Sequence, residues 1–331
     1  MTLRFPALLS ALAVLVAVLF AASLLVGPAA IGLRAALAAL LQGEGEMVTL
    51  VMREVRLPRA LLGVLVGGAL GLAGAALQGL MRNPLAEPGL IGTSGAAALG
   101  AVLAIQTGFA ASFALALPLA ALAGAGLSVA LILLLAGPTG AMLTLILAGV
   151  GLSALAGALT SLVLNLSPNP FAASEIMFWM MGSLADRSMQ HVVLAAPLIG
   201  LGALALAGAG RGLRALTLGE DAAATIGVDL RALRLGVVLA CAALVGAATA
   251  VAGAIGFVGL VVPHLLRRAV GADPARLLPA SALGGAAMVL AADIAVRLIA
   301  PERDLKLGVL TALVGAPFFL HLILRRRGEL A

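Results

Sequence analysis

Apolar runs long enough to cross a bilayer follow one another along almost the whole chain, separated by short polar or proline-broken stretches. Phe5 to Val26 is apolar for 22 residues behind Arg4, too long for a signal-peptide core and close to what a spanning helix needs. A polar segment with Glu44, Glu46, Arg53, Glu54, Arg56 and Arg59 follows, and Pro58 marks the start of a second span reaching Leu80. Pro84 and Pro88 break the chain before span 3 (about Leu90 to Thr107), and span 4 covers about Phe113 to Ala136. Span 5 runs from about Gly140 to Leu164. Phe171 to Gly182 is too short to cross and reads as a re-entrant or interfacial helix. Span 6 covers about Met189 to Ala209, span 7 Ala232 to Ala252, and span 8 Ile255 to Val270 with Pro263 inside. Span 9 covers Pro279 to Ala300 and span 10 Leu307 to Leu324, ahead of Arg325, Arg326 and Arg327. The pattern predicts an all-α polytopic membrane protein of about ten spans, forming one transmembrane domain over residues 1–331.

The one long polar interruption is Arg211 to Leu230, RGLRALTLGEDAAATIGVDL. It reads as two short helices. Gly219 breaks the chain, Glu220 and Asp221 occupy a first turn where acids suit the helix dipole, Gly227 is a stop, and Asp229 can cap the next helix. A loop this ordered between two membrane halves suits docking of a soluble partner; a solvated linker with incidental caps is the alternative.

Span 2 carries Gly63, Gly67, Gly71, Ala75 and Gly79 at i+4 spacing, a ridge of small residues that lets neighbouring backbones approach closely in lipid. That places span 2 at the centre of the bundle, although 41 glycines in the chain make such ridges easier to find by chance. An inverted repeat of spans 2–5 and 7–10 is suggested by Ala69, Ala73, Gly74, Ala75 and Pro84, which recur as Ala248, Ala252, Gly253, Ala254 and Pro263.

Composition sharpens the class. The chain is 63% hydrophobic and 10% charged, which excludes a soluble domain. Its net charge of +6 comes from arginines at the ends of apolar runs, so membrane orientation explains it and nucleic acid does not. Ten spans put both termini on one side. If that side is the cytoplasm, Arg4, Arg82, Arg211, Arg214, Arg231, Arg234, Arg267, Arg268, Arg276 and Arg325 to Arg327 lie inside, 12 of the 20 cations. Tyrosine is absent and tryptophan occurs once, so arginine must do more of the anchoring at the lipid boundary.

Catalytic chemistry is missing from the pattern. Lys306, the only lysine, follows Leu305, so there is no phosphate-binding GxxxxGK[ST] loop. There is no HExxH or paired His/Cys spacing, Cys241 is alone, and neither a metal nor a cofactor site is expected. Asp293, the deepest acid, has Arg297 at i+4 on the same helix face, an ion pair rather than a proton relay. His191 beside Met177, Met180, Met181 and Met189 reads as packing more readily than as a haem ligand, and His264 as a hydrogen-bonding group near the Pro263 kink. Ser153, Thr160, Ser161 and Asn165, with Gly149, Gly151 and Gly157, give span 5 the polar and small residues expected of a helix facing a pathway or a dimer axis.

Several runs together resemble a known family. They are RLPR (Arg56 to Arg59), GALGLAGAALQGLMRNPLAEPGLIG (Gly68 to Gly92), FWMMG (Phe178 to Gly182), LGEDAAATIG (Leu218 to Gly227), AGAIGFVGLVVPHLLR (Ala252 to Arg267), ADIAVR (Ala292 to Arg297) and GAPFFL (Gly315 to Leu320). In order and over nearly the whole length they are similar to the permease subunit of ABC importers for iron-siderophores, haem and vitamin B12. The resemblance implies a homodimer of ten-helix subunits in a bacterial inner membrane, two separate cytoplasmic ATPase subunits, and a periplasmic or lipid-anchored binding protein outside. It implies that Leu218, Gly219, Glu220, Asp221, Ala223, Ala224 and Gly227 couple to the ATPase, and that Arg56, Arg59 and Arg297 meet acids on the binding protein. The Ser/Thr gate of some relatives is replaced here by Ala141, Met142, Leu143 and Thr144, and nothing selects among the bulky ligands. An ATP-independent secondary transporter with an inverted repeat is the alternative; it requires intramembrane acids or an ion site.

Overall fold

A computed structural model describes residues 5–137, 141–300 and 305–330, the last ten as backbone. Among these residues there are only helices and connections. Arg4 and the side chains of Arg325 to Arg327, which contribute to the expected charge bias, lie outside what is described, as do Pro138 and Gly140 at the start of span 5.

Helix α1 is Phe5–Leu25, followed by two short helices, α2 (Leu33–Leu41) and α3 (Glu46–Leu50). A π-helical turn over Val51–Arg56 then runs directly into α4, Leu57–Leu80. Pro58 lies in the first turn of α4, as expected of a proline at a helix start, but no break precedes it: the π turn joins α3 to α4, so the helical segment is continuous from Glu46 to Leu80. Two short elements follow: a 3₁₀ turn, Pro88–Ile91, and α5, Thr93–Gln106. Next come α6 (Ala116–Ala136), α7 (Met142–Asn165) and α8 (Pro170–Met180), the last being the short non-spanning helix that the sequence predicts. Helix α9 is Met189–Leu216, α10 Glu220–Thr225, α11 Leu230–Ala252, α12 Val258–Arg267, α13 Pro274–Ile299 and α14 Leu307–Leu330.

Seven of the described helices are long and apolar enough to cross a membrane, and Thr93–Gln106, Val258–Arg267 and Leu307–Leu320 are shorter apolar helices. These ten correspond to the ten predicted spans, with shifted ends. Span 6 continues to Leu216, so the start of the polar loop, Arg211–Leu216, is the foot of α9 and only α10 is a separate short helix. Span 9 begins at Pro274, five residues before Pro279, because the Asp273 side chain accepts the Ala275 amide and caps the helix there.

Helices α4 and α11, each the first of its half, are the most buried of the candidate spans. They pack against each other and exchange partners. Helix α4 packs on α12 and α13 of the second half, and α11 packs on α5 and α6 of the first. This reciprocity is what two intertwined repeat units produce. The five residue matches noted in sequence do not equate like positions, however. Gly74 is in the middle of α4, whereas Gly253 ends α11 at φ +72°; Pro84 lies in a turn, whereas Pro263 lies inside α12.

The small-residue ridge of α4 is used for contact. A Cβ at Gly67 or Gly71 would collide with the α13 backbone at Gly285 or Ser281, and one at Gly285 with Gly67; a Cβ at Gly74 would collide with the α12 backbone at Gly259. Gly71→Ala should cost about 1–3 kcal/mol through overpacking. Gly126→Ala in α6, where a Cβ meets nothing within 4 Å, should be neutral or slightly stabilising. Thermal unfolding of the two variants in detergent checks the contrast.

Candidate functional site

The polar residues gather at the two ends of α4 and at one junction inside. Twenty-four residues of α4 span about 36 Å, so its ends lie on opposite sides of a bilayer.

At the first end, Asp293 of α13 is 1% exposed and lies between two arginines. Arg59 meets it through Nε at 2.9 and 3.1 Å and NH2 at 2.8 Å, and Arg297 through NH2 at 2.8 Å. The i+4 pair read from sequence is present, but Arg59, 234 positions away, completes it. Arg297 also donates to the Ser23 and Val26 carbonyls and the Ser23 hydroxyl at 2.7–2.9 Å. Arg56, 5% exposed, donates to the Leu24, Leu25 and Ala29 carbonyls. Two guanidiniums thus satisfy the orphan carbonyls at the C-terminus of α1, the end where the helix dipole favours a cation. Helix α1 buries little of its own surface, only Leu8 and Ser23, so this polar cap is a main tie to α4 and α13. Arg53 is exposed and donates to the Leu40 carbonyl at 2.8 Å.

At the other end, Gly79 of α4 lies against Leu213 of α9 and Pro274 of α13. Gly219, at φ +106°, turns the chain from α9 into α10, and Gly227, at φ +89°, turns it out again. Glu220 pairs with Arg234 of α11 at 2.7 Å, and Asp229 caps α11 by accepting the Ala232 amide at 2.9 Å. Ala223 is fully buried against its own bundle. Asp221, Ala224 and Gly227 are exposed, with Leu218 at 72% and Ile226 at 64%. The outward surface is therefore Leu218, Asp221, Ala224 and Ile226, and Ala223 is its foundation. Nearby, Arg214 of α9 meets Asp273 through two bonds of 3.1 and 2.6 Å, and Arg276 sits over the Phe5 ring at 5.4 Å. Burial alone would raise the Asp273 carboxyl, but the Arg214 hydrogen bond and charge and the Ala275 and Arg276 amides hold it below its ordinary 3.8.

Helix α7 presents a broad unpartnered face. Leu143, Leu147, Ala154, Ala158, Ser161 and Asn165 are exposed on one side of it. Thr160 is 4% exposed and turned inward, and Ser153 is half-buried, its hydroxyl 3.4 Å from the Gly89 carbonyl. The four polar residues read together in sequence thus divide between two faces.

The junction inside was not legible beforehand. Gln78, 1% exposed in α4, accepts from Arg267 of α12 at 2.6 Å and offers its amide to the Ala86, Gly259 and Leu260 carbonyls at 3.3–3.4 Å. Glu87 accepts the Phe257 amide at 3.2 Å, at the N-terminus of α12. A cavity of about 110 Å³ beside it is lined by Glu87, Ser94 and Thr249 among apolar neighbours. His191 accepts the Ser188 amide at 3.2 Å and caps α9.

Residues 15–325 match the FecCD transport family. The chain belongs to that family. It is 39% identical over 283 residues to a cobalamin import system permease protein of Halobacterium salinarum, covering 85% of this chain and 75% of that one. It is 38% identical to a hemin transport system permease protein of Yersinia pestis, covering 83% and 84% of the two chains. It is 37% identical to an Fe(3+) dicitrate transport system permease protein of Escherichia coli, covering 84% and 86%. A solved structure described as of the metal-chelate ABC transporter type, in an inward-facing conformation, matches with a TM-score of 0.86 and 33% identity over 97% of this chain and 99% of that one. The FecCD fold, a polytopic membrane bundle of helices, is the fold described above.

Asp293→Asn leaves two arginines without their counter-charge and should cost about 3–5 kcal/mol; Arg56→Ala, which strands carbonyls at the end of α1, should cost about 1–3 kcal/mol. Detergent unfolding measures both, and limited proteolysis should show α1 released first in the second variant. Because the folded Asp273 carboxyl is depressed, its contribution is complete above pH 3.8 and is lost as pH falls through the lower folded value. Asp273→Asn should be less stable than the wild type at pH 7, and the gap should close on acidification.

Proposed function

We propose that this FecCD-family chain is the membrane-spanning permease of an ATP-driven importer, acting as a homodimer with two cytoplasmic ATPase subunits and an external binding protein. The observation that carries the reading is α10, a short helix held to α11 by the Glu220–Arg234 ion pair with an apolar outer surface at Leu218 and Ile226. A chain without a nucleotide-binding loop needs such a rigid contact to receive the force of a separate ATPase. Its relatives are named for cobalamin import and for hemin and Fe(3+) dicitrate transport, so the cargo class proposed is a bulky metal chelate. An ion-coupled secondary transporter is disfavoured by Asp293, the only buried acid among the described residues, which is neutralised by two arginines.

The α10 end then faces the cytoplasm with both termini, and the arginine cluster faces outward. Three arginines against one aspartate leave that outer cluster cationic, which supports docking of an acidic surface. Its exposed edge is Arg59, with 18% of its side chain accessible, together with Arg53; Arg56 and Arg297 contribute field and shape from beneath. Such charges mainly orient a partner and raise its association rate. The unpartnered face of α7 supports a symmetric contact between two copies, with the pathway alongside.

Leu218→Asp with Ile226→Asp should weaken ATPase co-purification at least about tenfold while the bundle stays folded; full retention would overturn the docking surface. Ser161→Cys should cross-link two copies and Thr160→Cys should not. The reverse result, read on a non-reducing gel, would displace α7 from the dimer axis.

A further inference from the structure

We infer that Gln78 is the positioning residue through which movement at the ATPase-docking helix reaches α7, by way of the segment 81–92. The inference rests on the ATPase-docking reading above and assigns its internal route. The route begins where α10 sits on α9, with Ala223 fully buried. At the foot of α9, Arg214 holds Asp273, which caps α13 at the end of the 268–273 turn. That turn is tied back to α12, because the Ala272 amide donates to the Arg267 carbonyl at 2.8 Å. Arg267 donates to Gln78 at 2.6 Å, and the Gln78 amide faces the Ala86 carbonyl of the 81–92 segment and the Gly259 and Leu260 carbonyls of α12.

The segment meets α7 rigidly. A Cβ on Gly149 of α7 would strike the Leu90 carbonyl and Ile91, one on Gly92 would come within 2.6 Å of the Gly149 carbonyl, and Ser153 of α7 reaches the Gly89 carbonyl. Backbone packed on backbone transmits displacement without a side chain to absorb it. Gln78 is different from the other links: it is a single flexible-ended amide, buried in an apolar helix, that touches two further elements at once. A buried amide placed only for stability needs its own bonds satisfied; one that joins α4, α12 and the 81–92 segment makes their relative positions interdependent.

The test uses the assembled complex of permease, ATPase and binding protein in nanodiscs, with Ser161→Cys on the exposed face of α7 as reporter, reduced beforehand so that the two copies are not disulfide-linked; Cys241, fully buried, stays silent. The rate of labelling by a water-soluble maleimide is compared without nucleotide and with ATP and vanadate. With Gln78 present the two rates should differ. Gln78→Met should shrink that difference by about fivefold or more, while ATP hydrolysis and co-purification of the ATPase persist. Gln78→Glu keeps the length and the bond to Arg267 but replaces the amide donor with a carboxylate oxygen that repels the Ala86, Gly259 and Leu260 carbonyls; it is the second variant, read where Gln78→Met fails to assemble, and it should lose the response too. An unchanged response in either assembled variant overturns the role of Gln78 alone. No nucleotide response even with Gln78 intact overturns the route and the placement of α7, and loss of ATPase co-purification in the parent complex overturns the docking reading instead.

Discussion

The contact of α4 with α13, backbone on backbone at Gly67, Gly71 and Gly285, is what the rest of the bundle hangs from. In lipid, one apolar side chain gains little by leaving another, so helices associate through close packing and hydrogen bonds. Where a Cβ is absent on both sides, two helices come near enough for many weak contacts to add up. That approach brings Arg59 of α4 within reach of Asp293 and sets Gly74 against Gly259, so the charge cluster and the start of α12 both depend on it.

A second constraint shapes the function. Polar groups at membrane depth need partners within the protein, and this chain meets that need unevenly. At one end of the bundle the guanidiniums of Arg56 and Arg297 close the end of α1. The family resemblance points these residues at a binding protein, and the geometry gives them a structural task first. At the other end Glu220–Arg234 and Arg214–Asp273 fix α10 and the foot of α9, leaving Leu218 and Ile226 as exposed apolar surface. The short helices α5 and α12 need the same care: Glu87 and Gln78 supply bonds to the broken backbone where lipid offers none.

Much of this was readable in the chain. Spans, the short helix after Pro170, the ridge on α4 and the Asp293–Arg297 pair follow from apolar length and from i+4 spacing, which are local properties of helices. Element ends were less secure. Pro58 does sit in the first turn of α4, but the π turn before it extends the helical segment back to Glu46, and Asp273 moved the start of α13 earlier than the apolar pattern did.

Contacts between distant segments were decided only by tertiary structure. Nothing local pairs Arg59 with a residue 234 positions away, divides Thr160 from Ser161, or turns Ala223 inward while Ala224 stays exposed. Composition made the membrane class unavoidable and periodicity made the helices, because hydration and helical geometry act on each stretch by itself. Which face of each helix met another, and therefore which arginine was buried and which glutamine became a junction, depended on the three-dimensional packing of α4 among its neighbours.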